Sequence, residues 1–138
     1  MFKEGGGKSH CPYFILEDNI MITEIKIADI LKTLGMPVSL KGYKYTKFAI
    51  KLVSQNENLA DTIVRLYALV ASKYDTTASR VERAIRHAVE VAWDRGDTAV
   101  QQKLFGYTIN ADKGKPTNAE FICTVADWLN MIEGESDV

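Results

Sequence analysis

Between residues 76 and 93 the chain reads TTASRVERAIRHAVEVAW, and six polar or charged side chains in it recur at helical spacing: Ser79, Arg80, Glu82, Arg83, Arg86 and His87. At ~100° per residue, Val81, Ala84, Ile85, Ala88 and Ala92 gather on one side of a helix, while Ser79, Glu82, Arg83, Arg86 and Glu90 fall on the other. Arginine carries a planar fork that matches guanine O6 and N7, and glutamate accepts from the cytosine amino group. Each good pair of this kind discriminates by roughly 1 to 3 kcal/mol. A carboxylate is unfavourable beside phosphates, so Glu82 among arginines points to the reading of bases. The same Glu82 and Arg86, four residues apart, also suit a surface ion pair of about 0.2–0.5 kcal/mol. Arg80, toward the edge of the polar face, suits a phosphate. His87 lies at the boundary of the two faces, where packing or a phosphate contact fits better than proton transfer.

Other chemistries lack companions in the sequence. His87 and Glu90 can in principle shuttle a proton, yet no nucleophile constellation, phosphate loop or metal cluster accompanies them, so no enzyme is expected. Cys11 and Cys123 stand at no metal-ligand spacing, and His10 beside Cys11 has too few partners for a four-ligand site. Neither metal nor cofactor is expected. Trp93 and Trp128 are read as core anchors, and no interleaved basic and aromatic stripe favours single-stranded nucleic acid.

The elements that must position the polar face are all helical, and the chain reads as an all-α domain of six helices. Residues 1–19, with Gly5, Gly6 and Gly7, suggest a flexible arm. From Ile20 a helical period runs through Ile22, Ile25, Ile27, Ile30, Leu31 and Leu34, ended by Gly35 and Pro37. Residues 43–54 and 59–73 predict a second and a third helix, the second with Lys44, Lys47 and Lys51 on its solvent side, where they suit phosphates or water alike. Thr76 or Thr77 can cap the fourth, although Ser79 and Glu82 also fit a capping box. Its end is placed at Gly96, and Asp97 caps a short fifth helix to about Leu104. A loop over 105–115 precedes a last helix announced by Thr117 and Glu120, with Phe121, Ile122, Val125, Trp128 and Leu129 as its buried stripe. The tight turn at 74–77 between two helices predicts a helix-turn-helix.

Composition fits one soluble domain: 138 residues, 46% hydrophobic, 25% charged, with no apolar run long enough to span a membrane and no signal peptide, so a cytoplasmic location is expected. The net charge of −1 by itself argues against a nucleic-acid partner, but its distribution reverses this. Residues 41–115 hold thirteen Lys and Arg against eight Asp and Glu, whereas 116–138 hold five acids and no base, forming an acidic end with a tail over 132–138.

The long motif at 76–93, followed by LFGYT at 104–108, KPTNAE at 115–120 and Gly42–Tyr43 in KGYKY, resembles the effector domain of stage-zero sporulation protein A, a response-regulator transcription factor. The similarity covers about residues 20–131. It implies a six-helix fold whose third and fourth helices form the helix-turn-helix, and a double-stranded DNA partner with TTCGACA-like boxes, bound by homodimers on tandem sites. It further implies that Glu82 and Arg83 read bases, that Arg86 contacts a base or a phosphate, and that Ser79, Arg80 and His87 hold the backbone, with Lys115 a further phosphate candidate. Two departures qualify the resemblance. The family joins this domain to a phosphorylated receiver, which nineteen residues cannot form, so binding is expected to be constitutive and no phosphoacceptor is assigned. Residues 94–103, DRGDTAVQQK, adjoin the region through which the family contacts a sigma factor of RNA polymerase, and their composition looks altered, which suggests a repressor or a competitor. The alternative function is a protein-interaction module that pairs with a full-length sporulation regulator through the last helix.

Overall fold

A computed structural model of the chain describes residues 12–56, 58–59, 62–106 and 114–136, with side chains described from 23 to 132 within them. They form α1 (Pro12–Thr33), α2 (Lys41–Gln55), α3 (Ile63–Lys73), α4 (Ala78–Arg95), α5 (Thr98–Phe105) and α6 (Asn118–Ser136), with no strand among the described residues. None of these helices is long and apolar enough to cross a membrane.

The helix starts and stops follow from capping chemistry. Gly35, at φ +92°, ends α1: its N–H donates to the Lys32 carbonyl and that of Met36 to the Leu31 carbonyl, both at 3.0 Å. This is the paired pattern that consumes orphan carbonyls when a residue can adopt the left-handed region, and Leu31 and Met36 are buried together beneath it. Thr77 begins α4, its hydroxyl accepting from the Arg80 N–H at 3.2 Å, so Ser79 lies inside the helix and the alternative box with Glu82 is not used. Asp97 caps α5 by accepting from the Ala99 N–H at 2.8 Å. At α6 the Thr117 N–H donates to Glu120 Oε1 at 2.8 Å and the Glu120 N–H to Thr117 Oγ1 at 3.1 Å, the reciprocal pair predicted for those residues.

Several boundaries differ from the sequence expectations. Helix α1 begins at Pro12, eight residues before Ile20, because proline at the first helical position loses no hydrogen bond; the run Tyr13, Phe14, Ile15, Leu16 has no period to betray it. The rest of the expected arm, with the triglycine, His10 and Cys11, lies outside the described residues. Ile25 is exposed rather than buried, and the inward stripe starts at Ile27. Helix α3 starts at Ile63, after a short 3₁₀ turn that buries Leu59. Phe105, expected in a loop, closes α5 and is fully buried, stacked on Phe121 at 5.5 Å and edge-on to Trp93 at 5.2 Å. Tyr107, Thr108 and Lys113 of that loop are outside the described residues. The expected acidic tail is largely helix, since α6 runs to Ser136.

Around α4 the core closes on three sides. Val81, Ile85, Ala88 and Ala92 are fully buried against α2, α3 and α6. Helix α2 crosses at Gly42, where a Cβ would stand 2.1 Å from the Ala84 carbonyl oxygen, so backbone meets backbone there. The stripe of α6, Phe121, Ile122, Val125 and Leu129, is consumed by this core.

Candidate nucleic-acid interface

Burying one face of α4 on three neighbours leaves the opposite face to solvent. Ser79, Arg80, Arg83, Arg86, His87 and Glu90 are exposed, and Glu82 is half-buried at the margin. The turn before them is tight: Asp75 takes φ +53°, and the Thr76 N–H reaches back to the Ala71 carbonyl at 3.0 Å. Aspartate is among the few residues other than glycine that enter this region readily. The turn therefore reverses the chain within a few residues and delivers the first turn of α4 outward.

Glu82 and Arg86 form the ion pair that their spacing allows, Arg86 Nη1 standing 3.0 Å from Glu82 Oε2. The backbone beneath Glu82 is fixed from another element. Asn118, buried at the start of α6, donates from Nδ2 to the Glu82 carbonyl at 3.1 Å and to the Tyr67 hydroxyl at 3.0 Å, tying α6 to α4 and α3. Burial pushes the Tyr67 phenol above its ordinary value of 10.0 and the Glu82 charge adds to that, while the Asn118 hydrogen bond and Arg86 oppose it. The ring stays protonated in neutral solution and serves as a fixed acceptor.

These residues border a groove of about 400 Å³ between α3, α4 and the start of α6, lined by Tyr67, Glu82, Arg86, Glu90, Lys115 and Asn118 among others. Lys115 is exposed on its rim, 3.5 Å from Asp94. The seven predicted site residues thus form two sets. Six lie on the outward side of α4, and Lys115 stands beside its second half, on the Glu82 and Arg86 edge. Tyr67 and Asn118 were not singled out by the sequence. Tyr67 reads as one more core residue of α3, and the bond from Asn118 to Glu82 joins positions 36 residues apart, which no local pattern encodes.

A family model described as sporulation initiation factor Spo0A C terminal matches residues 27–129. The chain belongs to the Spo0A C-terminal family. The match takes in everything from the inward stripe of α1 to Leu129 in α6, including the α3–α4 pair. As a Spo0A C-terminal domain it is an all-α, DNA-binding regulatory domain of sporulation with a helix-turn-helix, and the family is one of transcription-factor domains rather than enzymes.

Proposed function

We propose that this chain reads double-stranded DNA boxes of TTCGACA-like sequence through α4, as homodimers on tandem sites, and regulates transcription in the cytoplasm. The observation that carries the reading is the outward polar face of α4, six polar side chains on a helix whose opposite face is locked into the core. Glu82 and Arg83 read bases; Arg86 takes a base or a phosphate; Ser79, Arg80, His87 and Lys115 hold the backbone. Recognition helices present their N-terminal turns to the major groove, and all of these residues except Lys115 occupy the first three turns of α4. Binding is constitutive in this reading, and Arg83 and His87 are exposed. The altered segment 94–103 weakens contact with a sigma factor, so the chain represses or competes at its boxes.

The free protein holds Glu82 and Arg86 together, and the energies allow DNA to part them. An exposed pair at this spacing contributes about 0.3–0.5 kcal/mol, against roughly 1–3 kcal/mol for each bidentate base contact. Titration of boxed and scrambled duplexes is the test. Arg83→Ala is expected to lower discrimination between them by roughly ten- to a hundredfold, whereas Lys115→Ala weakens both alike. Equal affinity of the parent chain for the two duplexes would sink the reading.

A further inference from the structure

A second cationic surface lies beside the turn, built on the lysines and aromatic residues that alternate along KGYKYTKFAIK at 41–51. Lys44 on α2 stands 5.2 Å from the ring centre of Tyr74 and 5.7 Å from that of Tyr45; Lys73, the last residue of α3, stands 5.0 Å from Phe48 and 5.7 Å from Tyr74. Lys47 lies 5.7 Å from Tyr43. The rings pack on one another, Tyr45 and Tyr74 at 5.3 Å and Phe48 edge-on to Tyr74 at 6.0 Å. Lys51 extends the row and pairs with Glu24 of α1 at 3.4 Å. Two chain segments distant in sequence, α2 and the end of α3, therefore bring Lys44 and Lys73 over a shared floor of Tyr45, Phe48 and Tyr74, with Lys47 on Tyr43 in the same helix.

The geometry favours phosphate over a stacked base. Tyr43 and Tyr45 are buried, Phe48 and Tyr74 are half-buried, and lysines already occupy the ring faces. A base has no open ring to stack on, whereas an ammonium held over a ring keeps its outer side for an anion. Position supplies the partner. Tyr74 precedes the α4 cap, Thr77, by three residues, and α2 touches α4 at Gly42, opposite Ala84 and Ala88, just before Lys44. At ~100° per residue, Arg80 and His87 lie within ~60° of Ala84, so α2 borders the Arg80 edge of α4. Glu82, Arg86 and Lys115 occupy the other edge, facing Tyr67 and Asn118.

We propose that Lys44, Lys47 and Lys73, seated on Tyr43, Tyr45, Phe48 and Tyr74, form a second contact with the DNA backbone, gripping duplex that flanks the box on the Arg80 side of α4. This rests on the DNA-reading function above and extends its footprint beyond the base-reading helix. Affinity of the whole chain would be measured against salt for a duplex ending at the box and for one carrying about one further helical turn of arbitrary sequence on each side. The parent chain is expected to bind the longer duplex more tightly. The triple variant Lys44→Gln, Lys47→Gln, Lys73→Gln is expected to lose that gain and to flatten the log affinity against log salt slope by about 0.9 per lost phosphate, equally for boxed and scrambled cores. The corresponding triple arginine variant keeps the slope. Thermal unfolding in parallel guards against misfolding, and if the triple variant melts early, Lys44→Gln alone, at an exposed site, is expected to cost about 0.9 in slope. An unchanged slope and flank dependence in the glutamine variants overturns the proposal, as does tighter binding of single-stranded flanks. Failure of the parent to prefer the box overturns base reading instead, and the flank dependence of the lysines is still read on scrambled duplex.

Discussion

Thr46 illustrates how a single atom sets a local cost. It is fully buried in α2, and its hydroxyl has no hydrogen-bond partner among the described residues. Leaving a buried polar group unpaired costs about 1–3 kcal/mol, while replacing it with an apolar group of the same shape removes the penalty. Valine has that shape, and its helix propensity is close to that of threonine. Thr46→Val is therefore expected to stabilise the chain by about 1 kcal/mol, raising the thermal midpoint by roughly 3–5 °C, with affinity for boxed DNA unchanged because the side chain faces the core. A lowered midpoint would mean that the hydroxyl has a partner whose loss matters. The opposite holds at Asn118, whose amide donates to the Glu82 carbonyl and the Tyr67 hydroxyl and so fixes the height of Glu82, the proposed base reader, from a different helix.

Between elements the decisive contact is the crossing of α2 over α4. In isolation an alanine at position 42 favours the helix by about 1 kcal/mol over glycine, but its Cβ would meet the Ala84 carbonyl oxygen at 2.1 Å and the Ala88 Cβ at 2.7 Å. Backbone cannot swing aside as a side chain can, so the clash wins. Gly42→Ala is expected to lower stability by about 2 kcal/mol or more, read as a fall in the urea midpoint, with box affinity reduced in the protein that remains folded because α4 is pushed from its seat. Parental stability in this variant would show that the two helices have room to separate. Elements of this kind were legible in the sequence wherever capping chemistry is local: Gly35, Thr77, Asp97 and the Thr117–Glu120 box all act within a few residues. The division of α4 into a core face and an outward polar face was equally legible, since it needs only the helical period. The start of α1 was not, because an unbroken apolar run has no phase, and neither was Phe105, whose burial is decided by Phe121 and Trp93 on other helices. The bond from Asn118 escaped for the same reason, as did the meeting of Lys73 and Tyr74 with α2, whereas the row Lys44, Lys47 and Lys51 shows in the helical period alone.

At the scale of the whole molecule, a net charge of −1 conceals a basic middle, and the folded chain sets three lysines of that middle over aromatic rings beside the turn into α4. The same packing leaves a signature in the dependence of stability on pH. Burial raises the phenol pKa of Tyr43, Tyr67 and Tyr74 above 10.0, with Glu24 adding to the effect at Tyr74 and Glu82 at Tyr67. Below about pH 10 the folded and unfolded chains both keep these protons, and the tyrosines add nothing to the slope. Once pH passes that point the unfolded chain ionises first, the folded chain binds more protons, and stability falls as pH rises through the raised folded values. Each excess proton contributes at most about 1.4 kcal/mol per pH unit. Urea unfolding between pH 7 and pH 11 is accordingly expected to show no tyrosine-linked slope until about pH 10 and a steep decline above it, accompanied by the ultraviolet absorbance of tyrosinate on unfolding. Tyr43→Phe removes one of the three groups and is expected to make the decline shallower without altering α4. A decline of parental steepness in that variant, or a midpoint that holds level to pH 11, would mean that the phenols ionise as freely in the folded chain as in the unfolded one.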